Sequence, residues 1–517
     1  MKNKYALLSV FDKTGIVDLA RFLKSRGYEI ISTGKTAQKL KENGIKVIPV
    51  EKITGNPECL GGRMKTISFQ IEAGILYDRT NITHLKEARQ LGIKPIDIVV
   101  CNFYPFEEIT ENKSTTLETA IENIDVGGPT MVRAAAKNFK NVLVIIDPDD
   151  YPKVISAIKK REVSITLRRE FAAKAFAAVS FYDSQIAKFL EKEKFPEKLI
   201  LAGRKKLTLR YGENPHQNAC FYLQPNVSTP LKNLQRLWGR ELSLINLTDI
   251  NAGLEVVRLF YQPCAVIIKH NSPCGIALGD CVAQALKRAI AADPVSAFGG
   301  VIVLNKEMDL KTAQIIGSFK KIQKSNIDII AAPKISQAAF RFLQQVRKNM
   351  GIYLFGQMSK DKQRINVKWV DGGFIVQTAN DNIEEEFKDW KVVTENQPTR
   401  QQLKQAEIGW MFISRIRSNS VIVIDKKIPM TRGIGSGQTS RIAATKIALE
   451  QAGKYTKGGI LVSDSFFPFD DSIKLAAKHG IGFIVQQGGS INDEASIKAA
   501  NKAKIPMVFT NYRAFWH

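Results

Sequence analysis

Lys269 and His270 stand together where an apolar run, Ala265 to Ile268, gives way to a loop containing Pro273 and Gly275. A histidine titrates near neutrality and can take a proton. The lysine beside it opposes a second positive charge, so the imidazole is expected to stay neutral and basic. The plain alternative is a solvated lysine at a strand end and a histidine held by a loop carbonyl. A second set of groups lies in the first half. Lys65 follows the flexible pair Gly61-Gly62 and Arg63; Tyr104 follows the strand expected over 96–103; Asp125 precedes a helix opening on Gly127-Gly128-Pro129. Lys137 sits four residues after Arg133 on that helix, on the same face. Gathered at one mouth of a sheet, Lys65, Tyr104, Asp125 and Lys137 would offer an acid, a phenol and two ammonium groups. That set is enough for proton transfer on an anionic ligand.

The elements that must position these groups follow from the alternation of patterns. Residues 5–11, 28–32, 47–50, 96–103 and 142–147 read as strands, with helical periodicity over 15–25 and 36–43. Such a βαβ series implies a mainly parallel sheet with its ligand beyond the carboxyl ends of the strands. Two loops there are suited to phosphate: Asp12-Lys13-Thr14-Gly15 and Ser32-Thr33-Gly34-Lys35-Thr36. The second ends like a P-loop, but Glu29 stands where the first glycine is needed, so an ATP site of that kind is rejected. A generic helix-start phosphate cradle remains, equal in weight to a plain helix cap. Helical pattern runs over 167–190, and the charged, proline-containing stretch 191–198 reads as a linker. The expected domains are therefore 1–195 and 199–517. The second opens on the turn-rich Leu209-Arg210-Tyr211-Gly212-Glu213-Asn214 and ends with strands expected over 421–424, 483–486 and 507–510. Gly433-Ile434-Gly435-Ser436-Gly437 reads as a glycine-rich loop, weak evidence for a ligand because it lacks Rossmann spacing.

Composition narrows the class. The chain has 517 residues, 24% of them charged, as in a soluble globular protein of two to four domains. The N-terminus shows no cleavable signal pattern, no run reaches membrane-spanning length, and the cytoplasm is the expected compartment. Six cysteines, none in a Cys-x-x-Cys pair, with five histidines, give no zinc spacing. The net charge of +25 suits a multiply anionic small substrate or nucleic acid. The scattered lysines argue against nucleic acid, although a basic RNA-binding protein on an enzyme scaffold is the reading from another class.

Long, ordered motifs carry a resemblance across essentially the whole chain. They include GGRMKT from Gly61, CNFYPF from Cys101, IDVGGPTMVRAAAKN from Ile124, LRYGENPHQ from Leu209, KHNSPCG from Lys269, DPVSAFGG from Asp293, GIGSGQTSR from Gly433 and SDSFFPF from Ser463. The chain resembles the bifunctional purine biosynthesis family, phosphoribosylaminoimidazolecarboxamide formyltransferase joined to IMP cyclohydrolase. The resemblance implies an α/β protein: an N-terminal methylglyoxal-synthase-like parallel-sheet domain, then two cytidine-deaminase-like α/β subdomains without zinc. It implies formyl transfer from 10-formyltetrahydrofolate, as co-substrate, to the 5-amino group of aminoimidazole carboxamide ribonucleotide, then dehydrative closure of the formylated intermediate to IMP. His270 would be the base of the transfer, with Lys269 stabilising developing charge. Lys65, Tyr104, Asp125 and Lys137 would serve the closure. Carried over position by position, Lys13, Thr33, Gly34, Thr36, Arg63, Thr66, Cys101 and Asn102 would hold the cyclohydrolase nucleotide. Arg210, Tyr211, Asp328, Asn419, Phe466, Asp471 and Arg513 would hold that of the transformylase, and Gly299, Arg441, Ile442 and Ser490 would line the folate pocket. No metal is expected, and a homodimer is.

The sequence departs from the family pattern at several places. Phe11 replaces a small polar residue and Lys35 a glycine; Ser68-Phe69 replaces histidine-proline; Asp470, Gln487 and Asn492 replace arginine, proline and arginine. The first two motivate an alternative in which only the formyltransferase is active and the N-terminal domain is a degenerate scaffold.

Overall fold

The computed structural model describes residues 4–112, 114–323, 326–358 and 364–517. The chain divides into two compact units. One is Met1–Arg204 with Gln224–Asn226, the other Lys205–Leu223 with Val227–His517.

The first unit is built on β1 (Lys4–Val10), β2 (Tyr28–Ser32), β3 (Val47–Pro49), β4 (Ile96–Asn102) and β5 (Leu143–Ile145), all parallel in the order β3-β2-β1-β4-β5. The central strands are apolar almost throughout, as strands covered on both faces must be. Helix Ile16–Ser25 buries Ile16, Leu19, Ala20 and Leu23, one stripe at helical spacing, against this sheet. The strand order changes direction between β1 and β4. That crevice is where open sheets of this kind receive ligands.

The second unit repeats one plan twice. β6 (Arg204–Leu209) and β7 (Ala219–Leu223) pair as a ribbon. The first six-stranded sheet comprises β8 (Gln235–Trp238), β9 (Cys264–Lys269), β10 (Ser272–Leu278), β11 (Val301–Leu304), β12 (Ile329–Ala332) and β13 (Gly351–Leu354), in the order β10-β9-β11-β12-β13-β8. A second ribbon, β14 (Ile365–Val370) with β15 (Gly373–Thr378), intervenes. The second sheet comprises β16 (Lys391–Val392), β17 (Val421–Ile424), β18 (Thr431–Gly435), β19 (Ile460–Ser463), β20 (Phe483–Gln486) and β21 (Met507–Phe509), in the order β18-β17-β19-β20-β21-β16. In each, three parallel strands are flanked by an antiparallel hairpin on one side and an antiparallel edge strand on the other.

Two sequence expectations change here. The segment around Lys269 is a hairpin, and the residues that turn it are His270 and Asn271, at φ 55° and 60°. Pro273 and Gly275 lie in the returning strand, beside a register shift. The glycine-rich run is also mostly strand. A Cβ on Gly433 would lie 1.9 Å from the Ala448 carbonyl oxygen and one on Gly435 2.0 Å from that of Ala444. These glycines let helix Arg441–Ala452 close on β18; Gly275 does the same for helix Val282–Ala292, where a Cβ would meet the Ala289 oxygen at 2.2 Å.

Candidate functional site

The first mouth lies at the carboxyl ends of β1, β2 and β4. Asn102 organises its floor: its Oδ1 accepts from the Phe11 and Asp12 amides at 2.6 and 2.9 Å, and its Nδ2 donates to the Asp12 carbonyl at 3.1 Å. The Thr36 hydroxyl accepts the Val10 amide at 3.1 Å and donates to the Val10 carbonyl at 2.9 Å. Both side chains are thereby committed to holding the β1 loop. Cys101 is buried beneath, its thiol pushed well up by desolvation and by Asp125, so it stays protonated. Thr33 is different: its buried hydroxyl has no partner among the described residues. It sits at the start of helix Gly34–Glu42, beside a cavity of about 300 Å³ lined also by Gly34 and Gln38. An unsatisfied donor at a helix start suits an anion.

The reactive groups crowd the same mouth. Lys65 reaches over Gly34, whose Cβ would lie 3.9 Å from its Nζ, and pairs with Glu58 at 3.0 Å. Asp125 accepts the Gly128 amide at 2.8 Å, while its own amide is held by the Tyr182 hydroxyl at 2.8 Å. Burial raises the Asp125 carboxyl; the Gly128 and Tyr104 amides and Lys65 oppose that shift without cancelling it. The Tyr104 ring meets Phe11 edge-on at 5.7 Å, and Lys13 donates to the Phe11 carbonyl at 2.9 Å. Phe11 is thus part of the wall of the mouth. Thr66 packs under the start of helix Gly127–Lys137, its Oγ1 2.9 Å from where a Gly127 Cβ would be, and Arg63 pairs with Glu122 on the rim. Lys137 is not brought here. It is exposed at the last residue of that helix, roughly 15 Å from its start. Its neighbour Asn138 donates to the Ile75 and Tyr77 carbonyls, on the side where β4 begins.

The second cluster surrounds the β9–β10 turn. Two residues at positive φ make a type I′ hairpin, a conformation that disfavours a bulky side chain such as His270. Asp249, buried on helix Leu244–Val257, holds it: Oδ1 accepts the Asn271 amide at 2.7 Å, and the His270 amide also bonds to the carboxylate. Burial raises the Asp249 carboxyl, against these bonds and the charge of His270. Lys269 donates to the Phe298 carbonyl at 2.9 Å, next to Gly299, whose amide donates to Asn326 at 2.6 Å. Asp328 pairs with Arg240 at 2.9 Å, and Arg210 stacks on Tyr211 at 4.7 Å where helix Leu244–Val257 begins.

The third cluster lies beyond the carboxyl ends of β19, β20 and β21. Asp464, fully buried, accepts from the Ser420 amide and hydroxyl at 2.9 Å each and pairs with Arg441. Arg441 also donates to Asn419 Oδ1 at 2.8 Å. Arg441 is therefore an internally neutralised organiser, with the half-buried Ile442 next to it. Phe466 is half-buried over fully buried Phe467, and Arg513 lies over Phe515 at 4.5 Å. Ser490 caps the Asn492 amide at 3.2 Å, while Asp471 is exposed at the first turn of helix Asp471–Lys478. β10 and β18 meet antiparallel through Ala277 and Met430, with the Ile276 amide on Thr431 Oγ1 at 3.1 Å. That direction carries the His270 turn and the loop beside Asn419 toward the same end.

Known proteins bear directly on these mouths. The AICARFT/IMPCHase bienzyme family matches residues 135–451, and the MGS-like domain residues 15–130. The bifunctional purine biosynthesis protein PurH of Clostridium botulinum is 45% identical over 516 residues, 99% of this chain and 100% of that protein. The chain belongs to the AICARFT/IMPCHase bienzyme family. The protein of the same name from Acetivibrio thermocellus is 43% identical over 522 residues, again 99% and 100% of the two chains. As a bienzyme of purine biosynthesis, the chain needs two centres, and the N-terminal unit is MGS-like, as the resemblance implied. The bienzyme also contains groups that sequence reasoning left without a role. Asp249 lies in the polar run Asn246–Asn251, Arg240 shortly before it, and Asp464 inside SDSFFPF; only their burial and partners distinguish them.

Proposed function

We propose that the chain carries out the last two steps of IMP synthesis, with formyl transfer in the second unit and ring closure in the first. The observation that carries this is the pair of separate mouths, each with its own proton-handling groups. In the transfer, the 5-amino group of the ribonucleotide attacks the formyl carbon of 10-formyltetrahydrofolate. A C–N bond forms, His270 takes the amine proton, and tetrahydrofolate leaves with a proton on its nitrogen. Lys269, fixed by the Phe298 carbonyl, keeps ammonium hydrogens for the developing oxyanion. Arg210, Tyr211, Asp328, Asn419, Phe466, Asp471 and Arg513 hold the ribonucleotide. The folate fits beside Gly299, where no atom of the described residues lies within 4 Å of a Cβ and Phe298 is half exposed, with Arg441, Ile442 and Ser490 completing the pocket.

In the closure, the carboxamide nitrogen attacks the formyl carbon and water leaves. Lys65 meets the oxyanion, and Asp125, held above its ordinary range, passes protons with Tyr104. Thr33, Gly34, Lys13 and Arg63 receive the phosphate end. Lys137, at the far end of its helix, would act on the closure only from outside this mouth. The chain works as a cytoplasmic homodimer; the exposed Trp369 and Ile375 on the β14–β15 ribbon, at 72% and 54%, are apolar surface that a second copy would cover. The test is a purified-protein assay that reads tetrahydrofolate release and IMP formation separately. Both signals are expected; tetrahydrofolate release without IMP would favour the single-activity alternative.

A further inference from the structure

The two halves of the second unit are built alike, so each place in one has a counterpart in the other. In the first half, the Cys264 amide donates to Asn305 Oδ1 at 2.8 Å, and the Asn305 amide to the Cys264 carbonyl at 3.3 Å. In the second, the Ser420 amide donates to Asp464 Oδ2 at 2.9 Å, and the Asp464 amide to the Ser420 carbonyl at 3.2 Å. Asn305 is therefore the counterpart of Asp464. Three residues on, Met308 and Phe467 are both fully buried. The ground beyond β11, β12 and β13 thus corresponds to the cradle beyond β19, β20 and β21 in which Asn419, Phe466 and Arg513 lie.

That ground contains a cavity of about 340 Å³, lined by Arg258, Tyr261, Lys306, Glu307 and Lys334 among others. The volume lies in the range of small-molecule sites. Lys306 follows β11 and Lys334 follows β12; where the two segments next pair, at Met308 and Ile335, the register has moved by one, so it is the shared cavity that brings the two lysines together. Both lysines are exposed, and neither is ion-paired among the described residues. Like charges lining one cavity repel, and an anion between them relieves that repulsion. Arg258, paired with Glu255 at 3.4 Å, adds a further cation, and Tyr261 offers a ring 70% exposed. Glu307 is the one acidic residue in the lining among the described residues.

We infer that this cavity is a second ligand site. It takes a phosphate monoester carried on a planar ring, a nucleoside monophosphate, with the phosphate between Lys306 and Lys334 and the ring against Tyr261. The anion site stands on the two lysines and the cavity they line. The choice of a nucleotide rests on the proposed role of the counterpart cradle.

Equilibrium dialysis of radiolabelled AMP against the full-length protein at low salt tests it, with the wild type beside the Lys306→Ala/Lys334→Ala double variant. The expected result is that the double variant loses one class of sites per chain, weakened about a hundredfold, while formyl transfer and IMP formation keep their rates. Removing two repelling charges should leave the thermal midpoint unchanged or raised; Lys306→Gln/Lys334→Gln replaces the alanine pair if it does not. Equal stoichiometry and affinity in wild type and variant would overturn the site. Inorganic phosphate bound by the wild type and lost in the variant, with AMP binding identical in both, would overturn the nucleotide while keeping the anion site. Failure of the proposed transfer reaction would show instead as absent tetrahydrofolate release in the wild type.

Discussion

The hairpins that open the two halves of the second unit differ sharply at their tips. β9 and β10 are joined by His270 and Asn271 alone, both at positive φ, with the imidazole exposed. β17 and β18 are joined by the longer Asp425–Met430 segment, closed on itself. Asp425 accepts the Lys427 and Ile428 amides at 2.9 and 3.0 Å and pairs with Arg432 at 2.7 Å, and Arg432 stacks on Tyr455 at 3.6 Å. The scaffold is the same; one turn presents an imidazole to solvent and the other closes its charges on itself. On the proposed function, reactivity in this unit is placed by the turn and by the buried acid behind it, rather than by the fold.

The largest effect that would sharpen this picture lies in the first unit, because it separates the two centres. Asp125→Asn should cut IMP formation about 10³-fold and leave tetrahydrofolate release unchanged. Burial raises the Asp125 carboxyl above its ordinary 3.8, so its ionised form costs stability at neutral pH. The asparagine variant should therefore unfold no earlier than wild type at pH 7. Any advantage should shrink as pH falls through the raised pKa, where the wild type takes up its proton. Thermal melts at several pH values check this, and a variant markedly less stable at pH 7 would contradict the sign.

Asp249→Ala tests whether the buried acid makes the His270 turn productive. The kcat of formyl transfer should fall about 10- to 100-fold, with a smaller change in KM for the nucleotide. Asp249→Asn, which keeps an acceptor for the Asn271 amide, should recover part of the loss. An equal fall in both parameters, unrelieved by asparagine, would make Asp249 merely structural. The opposite turn should respond the other way. Asp425→Ala should lower stability by about 1–2 kcal/mol in urea unfolding without altering transfer turnover per folded molecule. A turnover loss there would break the distinction between the two tips. The smallest effect concerns Phe11. Losing its edge-on contact with Tyr104 in Phe11→Ser should slow IMP formation about two- to tenfold; an abolished reaction would make Phe11 more than a wall.

The first unit was legible because its strands are near-continuous apolar runs separated by helical stripes, a pattern set by local burial. Helix Ile165–Leu190 was placed nearly to its ends for the same reason. What escaped depends on partners distant in sequence. Helix Leu244–Val257 is started by the reciprocal cap of Ser243 and Asn246 in a stretch that reads as polar loop. His270-Asn271 lacks the usual Asn-Gly signature of a two-residue turn, and Asp249, some twenty residues earlier, supplies what the turn sequence does not. Thr36 and Asn102 looked like ligand contacts by motif, yet their hydrogen bonds go to the β1 loop. Asp125 lies just before the helix that Lys137 ends, and the length of that helix, which face-sharing ignores, keeps them apart.

The most direct test of two independent centres is the His270→Ala variant in the two-signal assay, with IMP formation fed directly by the formylated intermediate. The account predicts tetrahydrofolate release reduced about 10³-fold and IMP formation from the supplied intermediate at the wild-type rate. Normal tetrahydrofolate release, or loss of both signals in a protein that melts like wild type, would contradict it.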